Sequence, residues 1–105
     1  MSTNPDTDSY IGKVVMVTTG QHKGVFAGTL LKRDKEKGTC TLKGARMAVC
    51  WSESVKGVLG LASTGPDKGC KISPAIPEIE LDSVSAYVLL TDSAWAKWEA
   101  APWAK

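Results

Sequence analysis

The sequence predicts a mainly β fold with minor α: a small antiparallel β-barrel or bent sheet of about four to six strands, with a short helix and a C-terminal helix. Three observations support it. Segments rich in β-branched residues alternate in polarity, short glycine-bearing turns separate them, and tryptophans recur at helical spacing near the end of the chain. A chain of 105 residues supports one domain. We therefore expect a flexible polar tail at residues 1–9 and a single β-rich domain at residues 10–105.

The first two strands follow from side-chain patterning. "GKVVMVTT" (residues 12–19) carries consecutive β-branched residues, and "VFAGTLLKRD" (residues 25–34) follows the turn sequence "GQHKG". Gly28 inside the second strand indicates a bend or a close backbone approach, as in small curved barrels.

The segment after the charged turn "KEKG" predicts one long strand or two short ones. It consists of "TCTLKG" and "ARMAVCWS", and Gly44 between them indicates a bulge. Within "ARMAVCWS", Arg46 and Trp51 fall on opposite strand faces. The pattern leaves open whether Arg46 is a solvated strand charge or part of a site.

The middle of the chain is less regular. "SESVKGVLGLASTG" (residues 52–65) predicts a short helix with Ser52 or Ser54 as its N-cap. "TGPDKGCKISPAIPEIE" (residues 64–80) predicts a long irregular connection, because it holds three prolines and two glycines.

The C-terminal part predicts a strand and then a helix. "LDSVSAYVLL" (residues 81–90) alternates between two faces, and Thr91 is a typical N-cap for the helix "DSAWAKWEA". Trp95 and Trp98 lie at helical spacing, so we expect both indoles to turn inward.

The net charge of +2 is unevenly distributed. From Ile11 to Lys71 there are eleven Lys or Arg residues against four acids. This excess favours an anionic ligand such as a nucleotide or nucleic acid, although scattered solvated lysines produce the same count.

Catalytic and metal chemistry find little support. The single histidine, His22, lies in a polar turn, and no common phosphate-loop, zinc or nucleophile motif occurs. Cys40, Cys50 and Cys70 form no CxxC pair, which is typical of free thiols in a reducing compartment. The N-terminus lacks the features of a signal peptide. We expect a cytoplasmic protein with no catalytic residue, metal or cofactor.

The candidate ligand-binding residues are basic, aromatic or glycine. In "TGPDKGCK", two glycines allow backbone N–H groups to converge and two lysines add charge, as in a phosphate-binding nest. Arginine suits phosphate because its planar donors bind two oxygens together, and a tryptophan can stack on a base. The predicted set is Arg46, Trp51, Gly65, Lys68, Gly69 and Lys71.

Residues 12–43 resemble the start of an Sm-like barrel. That family has a strand, a Gly-aromatic-x-Gly-x-Leu strand and an Asp-led turn in this order, and SH3-like barrels share the pattern. The matching residues are Gly24, Phe26, Gly28, Leu30 and Asp34. The second Sm signature is absent, so the resemblance implies the barrel type more than ring assembly.

A second resemblance covers most of residues 14–90. "GVFAGTL", "LKGARMAVCW", "LGLASTGPDKGCKIS" and "IPEIELDSV" are similar to a family of small bacteriophage proteins, whereas the tryptophan-rich last helix departs from it. The matching residues are Gly24, Phe26, Gly28, Ala45, Arg46, Trp51, Gly65, Cys70, Lys71, Pro77 and Glu78. The resemblance implies a protein acting in the host cytoplasm, where some small phage proteins neutralise nucleotide signals of host defence.

Together these observations predict a non-enzymatic homo-oligomer that sequesters a small anionic ligand, such as a nucleotide immune signal. One alternative is an Sm- or SH3-like barrel that binds RNA or single-stranded DNA. Another is a structural or host-protein-binding phage module.

Overall fold

The computed structural model describes residues 8–20, 24–50, 58–66 and 70–100, with the side chains of Cys50 and Val58 left out. The fold is mainly β with two helices, as predicted. The elements are β1 (Val14–Thr19), β2 (Val25–Asp34), β3 (Thr39–Cys50), α1 (Val58–Ser63), β4 (Lys71–Ile72), β5 (Ile76–Leu81), β6 (Val84–Leu89) and α2 (Asp92–Ala100).

The strands form one antiparallel sheet that takes the bent rather than the closed form. β1, β2 and β3 are a meander, and β6 returns to pair with β1. The other side of β3 pairs with β5 along its first half and with β4 near its end. Only Asp82 and Ser83 separate β5 from β6, yet these strands lie at opposite ends of the sheet order. The sheet must therefore bend strongly, although it does not close into a barrel.

A bulge at Gly44 bends the middle of β3, as the sequence predicts. The register steps from Ala27 opposite Arg46 to Thr29 opposite Lys43, which leaves one extra residue on β3. Gly44 has a φ of +61°. Opposite it, a Cβ placed on Gly28 would lie 2.9 Å from the backbone oxygen of Lys43, so the two backbones approach too closely for a side chain.

The sheet separates two apolar clusters. Val15 and Val17 of β1 point into the cluster inside the bend, together with side chains of β2 and β3. Met16, between them, points to the opposite side, where α1 and α2 cover the sheet. Alternate side chains of β1 therefore pack into two different apolar clusters, one on each face of the sheet.

The C-terminal helix has the predicted bounds and the predicted cap. The backbone N–H of Ala94 donates to Oγ1 of Thr91 at 3.1 Å. Trp98 is fully buried, and its indole N–H donates to the carbonyl of Leu61 in α1 at 2.9 Å. Trp95 is half-buried and packs at the border of the same cluster.

One prediction differs from the structure, and others fall on residues outside the described ranges. Residues 1–7 of the predicted flexible tail lie outside the described residues. Residues 76–80, expected in an irregular connection, form the strand β5 together with Leu81. The two proposed caps of the first helix, Ser52 and Ser54, lie outside the described residues.

Candidate functional site

Arg46 lies at the junction of the sheet and the C-terminal end of α2. Only 9% of it is exposed. Its Nε donates to the carbonyl of Ser73 at 2.8 Å, and Nη1 donates to the carbonyls of Trp98 and Glu99, the latter at 2.8 Å. The carbonyls at a helix C-terminus carry partial negative charge, which a guanidinium stabilises. Arg46 therefore has a structural role, whatever else it binds.

An open cleft of about 430 Å³ borders Arg46, between α2 and the strands β2 and β3. The exposed Lys43 of β3 and the half-buried indole of Trp95 in α2 share this cleft with it. The complete lining is Thr29, Lys43, Gly44, Arg46, Ala75, Trp95 and Glu99. The geometry thus brings together two cations, one aromatic ring and one acid.

The other predicted site residues fall in different surroundings. Trp51, Lys68 and Gly69 lie outside the described residues. Gly65 follows α1, where its N–H donates to the carbonyl of Gly60 at 3.1 Å. That bond caps the C-terminal end of the helix. The N–H of Gly65 is therefore already used and does not point into a phosphate-binding nest. Gly65 also packs under α2, because an added Cβ would lie 2.9 Å from Cβ of Lys97.

Lys71 belongs to β4, the short strand beside the end of β3. It stands opposite Cys50 in the β-ladder and is half-buried. It does not line the cleft beside Arg46. The structure therefore brings Arg46, but neither Gly65 nor Lys71, into that cleft, and sequence patterning did not anticipate the contribution of Lys43 and Trp95.

A larger cleft of about 610 Å³ lies at the far end of the β2–β3 hairpin. Its charged lining is mixed, with Lys32, Arg33 and Lys37 against Asp34, Glu80 and Asp82. Because the acids offset the cations, this cleft offers an anion less attraction than its size implies.

A second arginine, Arg33, forms a cluster that the sequence analysis missed. Its Nε and Nη2 donate to the two carboxylate oxygens of Asp8 at 2.7 and 2.9 Å. The guanidinium carbon lies 4.4 Å from the ring centre of Tyr10 and 4.8 Å from that of Tyr87. Hydrogen bonding to Arg33 holds the pKa of Asp8 below its ordinary value. No local sequence motif predicts this cluster, because its members come from distant parts of the chain.

Cys40 and Tyr87 are poorly suited to act as nucleophiles near neutral pH. Burial raises the pKa of Cys40 to about 11 and that of Tyr87 to about 12. Both therefore stay protonated near neutral pH. His22 lies outside the described residues. Within the segments that the structure describes, no three His, Cys, Asp or Glu side chains cluster as metal ligands, and no helix is long and apolar enough to cross a bilayer.

Comparison with known proteins places the chain in a family. No curated protein and no solved structure shows a significant match. One family model, described as a domain of unknown function (DUF6948), matches residues 12–98. The matched range takes in all six strands, α1 and most of α2. The chain therefore belongs to the DUF6948 family.

Proposed function

We propose that the protein is a non-enzymatic binder of a small anionic ligand, held in the cleft between α2 and the β2–β3 pair. The observation that carries this proposal is the shared cleft of Lys43, Arg46 and Trp95. A cation and an aromatic ring within one concave site are the elements that bind a nucleotide, one for phosphate and one for the base.

The three side chains have different roles in this proposal. Lys43 is exposed, so its ammonium contacts the phosphate. Arg46 contributes its positive charge from the wall of the cleft while it holds the end of α2. The indole of Trp95 stacks on the base. A charge-assisted hydrogen bond contributes about 1.5–3 kcal/mol, so losing Lys43 weakens binding by about tenfold or more.

The arrangement of charge supports a small ligand over a nucleic-acid polymer. Glu78 of β5 stands directly opposite Lys43 in the β-ladder, and Glu80 stands opposite Thr41. Acids therefore interrupt the basic surface beside the cleft. A polyanion needs a continuous basic path, whereas one phosphate group needs only a local cluster.

The biological setting of the proposal rests on the resemblance to small phage proteins. We propose sequestration of a host nucleotide signal in the cytoplasm, by a homo-oligomer. Support for assembly comes from large apolar side chains that are exposed in the single chain, with Val49 at 45% and Leu59 at 68%. Sedimentation at micromolar concentration tests this part, and a monomer mass contradicts it.

Titration calorimetry tests the site with adenosine monophosphate, a cyclic dinucleotide and a short oligouridine. Lys43→Ala and Trp95→Leu should weaken binding of a nucleotide. Lys13→Ala is the matched control, because Lys13 is exposed and lines neither the cleft beside Arg46 nor the larger cleft at the β2–β3 hairpin. Equal affinities for Lys43→Ala and Lys13→Ala overturn the site. Binding of the oligouridine alone, with steep salt dependence, supports the nucleic-acid alternative instead.

A further inference from the structure

The cluster around Arg33 contains the parts of an anion-binding site, already filled by a carboxylate of the same chain. Asp8 accepts both hydrogen bonds from one edge of the guanidinium. This two-oxygen geometry is the one by which arginine binds external carboxylates and phosphates. Side-chain exposure is 8% for Arg33 and 11% for Asp8, so the pair is largely withdrawn from water.

Half of this site is built by the sheet and does not depend on Asp8. Arg33 lies near the end of β2, and Tyr87 stacks on it from β6. The hydroxyl of Tyr87 donates to the carbonyl of Thr39 at 3.1 Å, which fixes the ring. The guanidinium therefore keeps an aromatic support when the N-terminal segment is elsewhere.

The other half of the site belongs to the segment before β1. Asp8 turns the chain there, because its Oδ1 accepts the N–H of Tyr10 at 3.0 Å and its carbonyl accepts the N–H of Ile11 at 3.2 Å. The guanidinium also lies over the ring of Tyr10. Releasing the carboxylate thus also loosens the segment that carries Tyr10.

The surroundings of the pair are cationic, and an open cleft lies beside it. This cleft has a volume of about 540 Å³, and Asp8, Tyr10, Arg33, Lys35 and Tyr87 are among the residues that line it. Lys35 lies close enough to Asp8 to act on it electrostatically, after the hydrogen bonds of Arg33. Two cations thus serve a single acid in this cleft.

We propose that Arg33, Lys35 and Tyr87 form a second anion site, which the Asp8 carboxylate occupies in cis and from which a small oxyanion displaces it. The ligand chemistry is a phosphate or carboxylate group able to bridge the guanidinium and the ammonium. The exchange breaks no covalent bond: the incoming oxyanion accepts the Arg33 hydrogen bonds, and Asp8 returns to water. This site is separate from the cleft beside Arg46.

Nuclear magnetic resonance of the full chain tests the proposal through the Nε–H signal of Arg33. Inorganic phosphate and succinate are the probes, each compared with chloride at equal ionic strength. Asp8→Asn removes the competing charge, so phosphate or succinate should saturate the signal at an at least about tenfold lower concentration than in the unaltered chain. Glu36→Gln is the control, because Glu36 is exposed in the neighbouring turn and the substitution changes net charge equally.

Two results overturn the proposal in this experiment. One is the same response to both probes in Asp8→Asn and Glu36→Gln. The other concerns the double variant Asp8→Asn, Arg33→Lys, in which lysine lacks the two-pronged donor. If its Tyr87 amide signal responds to the oxyanion as strongly as that of Asp8→Asn alone, the proposal is overturned. Saturation by only one probe identifies the preferred oxyanion.

A measurement on the unaltered chain covers the case in which Asp8→Asn does not fold. Displacement of Asp8 by phosphate removes the Arg33 bonds that hold the Asp8 turn in place. Hydrogen exchange of the Tyr10 N–H, which that turn protects, should therefore accelerate in phosphate relative to chloride. The N–H of Gly24, bonded to Oγ1 of Thr19, is the internal reference. An unchanged ratio of the two exchange rates across the phosphate titration overturns the proposal.

Discussion

The guanidinium of Arg46 donates to the backbone carbonyl of Trp98, which joins the middle of β3 to the last turns of α2. The same nitrogen reaches Glu99, and Nε reaches Ser73. One buried cation therefore links the sheet, the segment after β4 and the C-terminal helix. Removal of the Arg46 side chain should therefore weaken the packing of α2 directly, whether or not a ligand is bound.

Arg46→Ala should lower the free energy of unfolding by about 2–4 kcal/mol, because it leaves partly buried carbonyls without donors. Arg46→Lys should recover only part of this loss, since one ammonium cannot reach as many acceptors. Urea unfolding measures both, with Lys13→Ala expected within about 0.5 kcal/mol of the unaltered chain. Equal stabilities for Arg46→Ala and Lys13→Ala would refute the structural role.

Gly28→Ala should destabilise the sheet by about 1–3 kcal/mol, because the new methyl group meets the β3 backbone. The added Cβ would lie 2.9 Å from the oxygen of Lys43 and 3.1 Å from Cα of Ala45. Gly20→Ala is the matched control, since its nearest such contact is an ordinary 3.8 Å to the oxygen of Ser83. Thermal unfolding compares them, and similar melting temperatures would contradict the close approach of β2 and β3.

Thr91→Ala should cost about 1 kcal/mol, because it removes the side-chain acceptor for the first turn of α2. The hydroxyl also donates to the carbonyl of Ser63 at 2.9 Å, which ties α2 to the end of α1. Ser93→Ala, one position into the exposed first turn, should be nearly neutral. Chemical unfolding followed by circular dichroism distinguishes the two. A loss in Ser93→Ala as large as in Thr91→Ala would argue against the cap.

The Asp8–Arg33 pair should make stability depend on acid pH. Arg33 lowers the pKa of folded Asp8 below its ordinary value of 3.8. Its contribution is therefore complete above the unfolded pKa and disappears as pH falls through the folded pKa. The difference in unfolding free energy between the unaltered chain and Asp8→Asn should shrink between about pH 6 and about pH 2. A difference that stays constant over this range would contradict the assigned ion pair.

Local sequence determined much of the fold. β2 and α2 have the bounds that their patterns predict, since alternating β-branched residues and a threonine cap act through neighbouring backbone. Gly44 indicated the bulge and Gly28 the close approach, because positive φ and missing side chains are properties of glycine itself. These features need no knowledge of distant contacts.

Only the tertiary structure decided β5 and the bent, open form of the sheet. The prolines and glycines of residues 64–80 predicted an irregular connection. The strand β5 exists because the first half of β3 offers an edge with which it pairs. Whether the sheet closes or stays open depends on how β5 and β6 pair with strands far away in sequence.

The candidate sites were likewise beyond local patterning. The sequence singled out Arg46, but its partners Trp98 and Glu99 come more than 50 residues later. Arg33 meets Asp8 across 25 residues of chain. A charged side chain meets its partner through folding of the whole sheet. The sequence alone therefore determined which residues carry charge and where the strands other than β4 and β5 lie. The tertiary structure determined which charges meet, because those distances depend on the packing of the whole domain.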